Sequence, residues 1–456
     1  MQYTYFKKAL ICALTVLLSI SVRAQEAQLL TNTATANKKN YWNNNFSVSN
    51  NFLKESIVQD STHIKIVYFG SSVPYGQGAT NLRGYTSLFS DILKNRISTS
   101  GSVWETSNIS IGGDNTIKVL KRYEADLLPQ KGKYVIFALA LGNEGIHEQG
   151  QPMFDQFKKN MKVLIDKARS DGYTPIVTNS YTRNDYNEKD YSFIKKMNLL
   201  IHEWNVPSIN LLGAVDDLSG HWMDGYWADA AHPNDAGHAE MSYTIVPSLF
   251  DALESKKPMP ESVKGSYIKA ERNKYIAFTP ENVVHPFTTS ISFKTKGQGT
   301  LLEIDDVTEA GKVSINNDGH LVYSSAKLGV IIGATKVNDN KWHKLTLTHY
   351  YAKGVTMLYA DSTLQGTLEE KLVTTGVKIG GANIPQKLPY KNWLFYRSAM
   401  NAEEVAYLAK DSLLKSSLEL YAPLDGKKVS VSDPLVNLAQ SMNTIREINS
   451  MDSASN

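Results

Sequence analysis

Cysteine is nearly missing from this chain of 456 residues, in which Cys12 is the only one. Charge of one sign is missing too: 48 Lys and Arg stand against 45 Asp and Glu. The small excess lies in residues 1–24, which hold Lys7, Lys8 and Arg23 and no acid. Without that segment the chain has no thiol and no net charge. Disulfides, thiolate catalysis, Cys-bound zinc and iron–sulfur clusters are then excluded. Recognition of nucleic acid through its backbone loses its usual signature, a basic excess. Long apolar runs are also lacking after the N-terminus, so no later stretch reads as a membrane span.

What is present begins with an export-type segment. Lys7 and Lys8 precede an apolar run from Ala9 to about Val22, and Val22-Arg23-Ala24 places small residues around a cleavage point before Gln25. This pattern predicts a signal peptide over 1–24, and hence a periplasmic or extracellular protein. Cys12 does not read as a lipid acceptor, because the apolar run continues past it. Residues 25–60, rich in Asn, Thr and Ser, read as a polar lead-in.

From 61 to 254 short β-branched runs alternate with amphipathic stretches. Strands are expected at Ile64–Phe69, Tyr134–Ala140, Thr174–Thr178 and Pro207–Leu211. Helices are expected at Tyr85–Leu93, Ile117–Leu128, Met153–Arg169, Tyr191–Trp204 and Ala236–Leu253. The alternation predicts an α/β domain with a parallel sheet between helical layers, its ligand at the carboxyl ends of the strands. Residues 255–264, with two prolines, read as a linker. Over 265–430 short alternating runs such as Thr288–Lys294, His343–Tyr350 and Val355–Ala360 are punctuated by Asn, Asp and Gly, which predicts an all-β sandwich. Residues 431–456 read as a polar, frayed tail.

Four short blocks of the first domain carry chemistry. Gly70-Ser71-Ser72 follows the first strand, where a serine at a tight strand-to-helix turn presents its hydroxyl at the end of the sheet; an ordinary Gly-Ser turn has the same composition. In Asn108–Thr116, Gly113 offers an unobstructed backbone N–H, and a plain turn glycine reads alike. In Leu141-Gly142-Asn143-Glu144, the Asn143 amide can aim a donor into the same cleft. In Asp229-Ala230-Ala231-His232, a carboxylate three residues before an imidazole can fix its tautomer, leaving the second nitrogen to deprotonate a serine. Two such groups without a further ligand cluster make a poor zinc site. Neither a metal nor an organic cofactor is called for.

In order and spacing these blocks resemble the SGNH/GDSL hydrolase superfamily of serine esterases and lipases, over roughly Ile64 to Leu253. The resemblance implies a flavodoxin-like three-layer α/β/α fold with Ser72 as nucleophile, His232 as general base and Asp229 as its orienting partner. It further implies an oxyanion hole built from the Ser72 and Gly113 N–H groups and the Asn143 side chain. Ser71 is a minor alternative nucleophile. Two departures stand out: Ser71 replaces the family's usual Asp, and Gly142-Asn143-Glu144 shifts a glycine and replaces a second Asp. Tyr75, Trp222, Tyr226 and Trp227 are candidates for stacking on a sugar face, with core or lid packing the alternative. His238 reads as a structural neighbour, and His147 as a loop position near the cleft.

The C-terminal region is similar to laminin-G-like, concanavalin A-like domains, through Asn340–His349, Met357–Asp361, Trp393–Arg397 and the short helix from Ala402. This implies a jelly-roll sandwich of the kind used for glycan or protein binding, with Asp305 and Asp306 no better as calcium ligands than ordinary turn acids. Together these readings predict an exported serine esterase acting on acyl esters, acetyl first, of a polysaccharide. A lipid or thioester hydrolase of the same fold and a non-catalytic carbohydrate-binding protein are the alternatives.

Overall fold

A computed structural model describes residues 63–449 apart from 99, 266, 271, 308–309, 326–327, 382, 385–387 and 427–434. The expected signal peptide, the polar lead-in and the end of the tail lie outside the described residues.

The first half is built on five parallel strands: β1 (His63–Gly70), β2 (Val103–Asn108), β3 (Tyr134–Ala138), β4 (Thr174–Thr178) and β5 (Ser208–Ile209). Their order is β2-β1-β3-β4-β5, the doubly wound order of flavodoxin-like sheets. Alternate residues serve opposite faces, as a pleated strand requires. Val67, Phe69, Val135, Phe137 and Val177 pack against helices α3 (Thr116–Arg122), α5 (Gln151–Ser170) and α6 (Glu188–Ile201). Ile66, Tyr68, Ile136 and Ile176 pack against α2 (Tyr85–Lys94), α7 (Asp235–Tyr243) and α8 (Leu249–Glu254). Two very short helices, α1 (Ser72–Tyr75) and α4 (Leu141–Glu144), sit just beyond the carboxyl ends of β1 and β3.

The expected strands and helices are present with shifted ends, and two features differ. Strand β2 was not expected, because Val-Trp-Glu-Thr-Ser-Asn mixes polarity; it is an edge strand in which only Trp104 is buried. The helix expected over Ala236–Leu253 is two helices. Pro247 lies in the break between them, where it can neither donate an N–H nor leave the residue before it helical.

The second half is antiparallel. Its strands are β6 (Ile268–Ala270), β7 (Lys274–Phe278), β8 (Phe287–Lys294), β9 (Gly299–Asp306), β10 (Ala310–Ile315), β11 (His320–Ser324) and β12 (Val330–Lys336). There follow β13 (Trp342–Tyr350), β14 (Val355–Ala360), β15 (Thr363–Glu369), β16 (Thr374–Gly380), β17 (Leu388–Tyr396), β18 (Leu418–Ala422) and β19 (Ile445–Asn449). One sheet runs β12-β11-β10-β9-β16-β7-β19, the other β15-β14-β13-β8-β17-β18 with β6 on β17. Phe278, Ile304, Val313 and Val377 of the first sheet meet Ile291, Phe293, Leu345, Trp393 and Phe395 of the second in one core. Strand β19 falls within the stretch expected to fray. It forms the edge of its sheet, and its backbone pairs with β7, a partner that is distant in sequence.

The stretch read as a linker is packed: Lys257 Nζ donates to Ser441 O at 2.6 Å and Val263 N to Tyr421 Oη at 2.8 Å. The halves join through polar contacts. Ser417 N donates to Ser208 O at 3.0 Å. Asn210 Nδ2 donates to Glu404 Oε1 at 2.8 Å, Glu404 lying in helix α9 (Ala402–Ala409). The fully buried Arg397 bonds Tyr243 O at 2.8 Å and pairs with Glu419 at 2.9 Å.

Candidate active site

Ser72, Gly113 and Asn143 each follow the carboxyl end of one of the adjacent strands β1, β2 and β3. The parallel sheet therefore collects at one edge what the sequence separates. Ser72 opens α1 and is 7% exposed. Its Oγ lies 2.9 Å from His232 Nε2. On the far side of the ring, His232 Nδ1 lies 2.8 and 2.9 Å from the two carboxylate oxygens of Asp229. A carboxylate only accepts, so Nδ1 carries the proton and Nε2 is free to accept from the serine hydroxyl. Partial burial pushes the Asp229 carboxyl up, but hydrogen bonds from His232 and the Ala231 N–H outweigh it and hold the group below its ordinary value. Ser71, the alternative nucleophile, is buried at 1% exposure, and His232 bonds its neighbour instead.

The serine turn and the histidine loop are fastened together. Gly78 has φ +91°, and a Cβ there would stand 2.1 Å from Pro233 O and 3.1 Å from His232 Cβ. Thr80 donates from N and Oγ1 to the two oxygens of Asp235 at 2.6 and 2.7 Å. His238 accepts from Tyr85 N at Nδ1 (3.2 Å), so it donates from Nε2 to Gln77 O at 3.0 Å. Burial pushes its pKa down to about 4, which keeps it neutral in that role. The structural reading of His238 thus acquires a specific partner, the serine turn.

The second and third blocks meet in the same place. Ile111 N donates to Gly70 O at 3.1 Å, and a Cβ on Gly112 would lie 3.9 Å from Ser72 Cβ. Gly113 follows in a turn with φ +75°. Asn143 Nδ2 donates to Asp114 O at 3.0 Å, which ties the third block to the second. Glu144, standing where the resembled family has Asp, is buried and accepts from Thr116 N (3.0 Å), Thr116 Oγ1 (2.5 Å) and Gln156 Nε2 (2.7 Å). It clamps α4 to the start of α3, a role that chain pattern alone does not reveal.

The aromatic candidates separate. Trp222 is corrected: it is 3% exposed, stacks on Tyr181 at 5.6 Å and bonds Ala230 O, so it supports the loop from beneath and offers no face to a ligand. Tyr226 is half-buried and lies under Lys371 of the second half, whose Nζ is 3.4 Å from its hydroxyl. Tyr75 and Trp227 are 45% and 40% exposed. His147 pairs with Asp190 at 2.6 Å. Asp305 pairs with Lys378, and Asp306 accepts from Val307 N and Val373 N. Among the described residues no group of three or more His, Cys, Asp or Glu side chains is placed to hold a metal. Arg183, missed in the sequence because it belongs to no block, reaches Asn143 Oδ1 from the loop after β4, at 3.4 Å.

Residues 68–240 match the model of the GDSL-like Lipase/Acylhydrolase family. An uncharacterized lipoprotein, YqeF, of Bacillus subtilis (strain 168) is 28% identical over 88 residues, which are 19% of this chain and 36% of that protein. The chain thus spans about a third of the length of that curated relative. An acetylxylan esterase, Axe2, from Geobacillus stearothermophilus is 16% identical, with a TM-score of 0.33 over 42% of this chain and 94% of that one. A heptameric SAP-like pentraxin from Limulus polyphemus is 13% identical, with a TM-score of 0.28 over 33% of this chain and 84% of that one.

Proposed function

We propose that this chain, which carries a hydrolase domain of the GDSL type, is an exported serine esterase that removes acyl groups, acetyl first, from a saccharide. The observation that carries the reading is the continuous chain from Ser72 Oγ through His232 to Asp229, with contacts of 2.9 and 2.8 Å. In the reaction, Ser72 Oγ attacks the ester carbonyl carbon while His232 Nε2 takes its proton. The carbonyl oxygen becomes an oxyanion, received by the N–H groups of Ser72 and Gly113 and by Asn143. Collapse breaks the ester C–O bond, and His232 returns the proton to the leaving alkoxide. Water then attacks the acyl-enzyme by the same route and restores Ser72. Asp229 keeps its charge throughout and holds the imidazole in the working tautomer.

Three features support the saccharide part: the exposed Tyr75 and Trp227, which suit stacking on a sugar ring; the absence of a charge bias outside residues 1–24; and the second, antiparallel half, whose sequence resembles laminin-G-like domains. The signal-like N-terminus and the lipoprotein relative support export.

The test is turnover of p-nitrophenyl acetate and release of acetate from acetylated oligosaccharides. Ser72→Ala is expected to cut kcat by at least about 10⁴-fold with an unchanged thermal midpoint. Wild-type protein that neither turns over a small acetyl ester nor reacts with a serine-directed phosphonate sinks the esterase reading. A preference rising with acyl length would move the substrate to lipids.

A further inference from the structure

Asn143 is the one proposed oxyanion donor whose aim is set by a side-chain rotation. A carboxamide is nearly symmetric in shape but opposite in chemistry at its two ends, so one rotation decides whether it presents NH₂ or C=O. Two neighbours fix that choice here. Oδ1 lies 3.4 Å from Arg183 Nη1, and a guanidinium only donates. Nδ2 lies 3.0 Å from Asp114 O, and a carbonyl oxygen only accepts. A reversed amide would set donor against donor and acceptor against acceptor. Asp114 uses one of the two Nδ2 hydrogens and leaves the other for an incoming oxygen.

Arg183 is itself held in place. Its Nε and Nη2 donate to the two oxygens of Asp185 at 2.9 and 2.6 Å, and its backbone N–H donates to Gly220 O at 3.2 Å. Gly142, directly before Asn143, makes the approach possible. A Cβ there would stand 2.8 Å from both Arg183 Cδ and Arg183 Nη1, and 2.6 Å from Tyr186 Oη. The glycine that departs from the resembled family's pattern is thus the residue that admits the guanidinium.

We propose that Arg183 is a positioning residue that locks the Asn143 amide with its NH₂ toward the oxyanion. The inference rests on the esterase reading above. Arg183 acts through Asn143 and touches no reacting atom, so its effect belongs to the transition state and vanishes when Asn143 is absent.

The experiment is a double-mutant cycle on p-nitrophenyl acetate with Arg183→Met, Asn143→Ala and the pair, with thermal midpoints measured alongside. Asn143→Ala is expected to lower kcat about 10²–10³-fold. Arg183→Met is expected to lower kcat about 10-fold or more with KM within about twofold, and to have no further effect in the Asn143→Ala background. Gly142→Ala, which displaces the guanidinium while keeping it, should reproduce the Arg183→Met loss; this variant carries the test if Arg183→Met does not fold. Equal losses from Arg183→Met in both backgrounds, an unchanged kcat in Arg183→Met or Gly142→Ala, or an unchanged kcat in Asn143→Ala each overturn the proposal. Failure of the esterase reading looks different: wild-type protein has no turnover and takes no phosphonate label, and both ideas then fall.

Discussion

Glu144 occupies a place where an acid is easily taken for a reactive group, yet every contact it makes is to a donor of the scaffold. Thr116 N, Thr116 Oγ1 and the Gln156 amide surround it, away from Ser72 and His232. Removing its carboxylate leaves the Thr116 N–H, which is fully buried, without an acceptor. Glu144→Ala should therefore cost about 1–3 kcal/mol of stability, read as a lower denaturation midpoint at unchanged m. Activity toward small esters should fall less than in Ser72→Ala, since the Ser72–His232–Asp229 contacts are untouched. The same distinction separates Trp222 from Trp227. Both lie in one aromatic run of the sequence, but one is core and the other is surface. Residue type announced both; the direction in which the chain turns decides between them.

At the scale of elements, the serine turn and the histidine loop form one clamp built by residues 77–85 and 232–238. Gly78 is its tightest point, because positive φ and the nearby Pro233 carbonyl both exclude a side chain. Gly78→Ala is expected to cost roughly 2–4 kcal/mol, from strain plus the displaced loop. It should also lower kcat on p-nitrophenyl acetate by at least about 10-fold, by lengthening the Ser72–His232 contact. Normal kcat together with a normal melting temperature would show that the two loops are not coupled there.

Most elements were legible because their signals are local. The apolar runs of β1, β3 and β4 need no partner to be read, and the amphipathic period of α5 is visible over its whole length. Strand β2 was not legible, since an edge strand with one buried residue has no periodic pattern to show. Strand β19 is defined by its pairing with β7 and was equally hidden.

At the scale of the molecule, the two halves share a polar seam that contains buried acids. Asp216 accepts from Tyr191 Oη at 2.6 Å and Leu218 N at 3.0 Å, and burial pushes its pKa up to about 7. Glu404, bonded to Asn210 across the seam, is pushed up to about 8 by the same cause. For a carboxyl whose folded pKa is raised, the folded state holds the proton more tightly than the unfolded chain. That contribution to stability is complete below the unfolded value and is lost as pH rises through the folded one. The melting temperature should therefore decline between about pH 4 and pH 8 from these two groups. Asp216→Asn, which keeps a carbonyl for Leu218 N and can donate to Tyr191 Oη, should flatten part of that decline. A thermal-unfolding series from pH 5 to 9 on both proteins checks it, and identical slopes would remove Asp216 from the account.

By itself the sequence determined the α/β alternation and the antiparallel second half, and it singled out Ser72, Gly113, Asn143, Asp229 and His232 as candidates, because periodicity and short-range spacing are properties of neighbouring residues. Only the tertiary structure decided that Arg183, Glu144, Gly78 and His238 brace the site, that Trp222 lies beneath it, and that the second half packs on the first. Those facts depend on pairs far apart in the chain, such as Gln77 with His238 and Ser208 with Ser417, and no local pattern encodes which distant donor meets which acceptor.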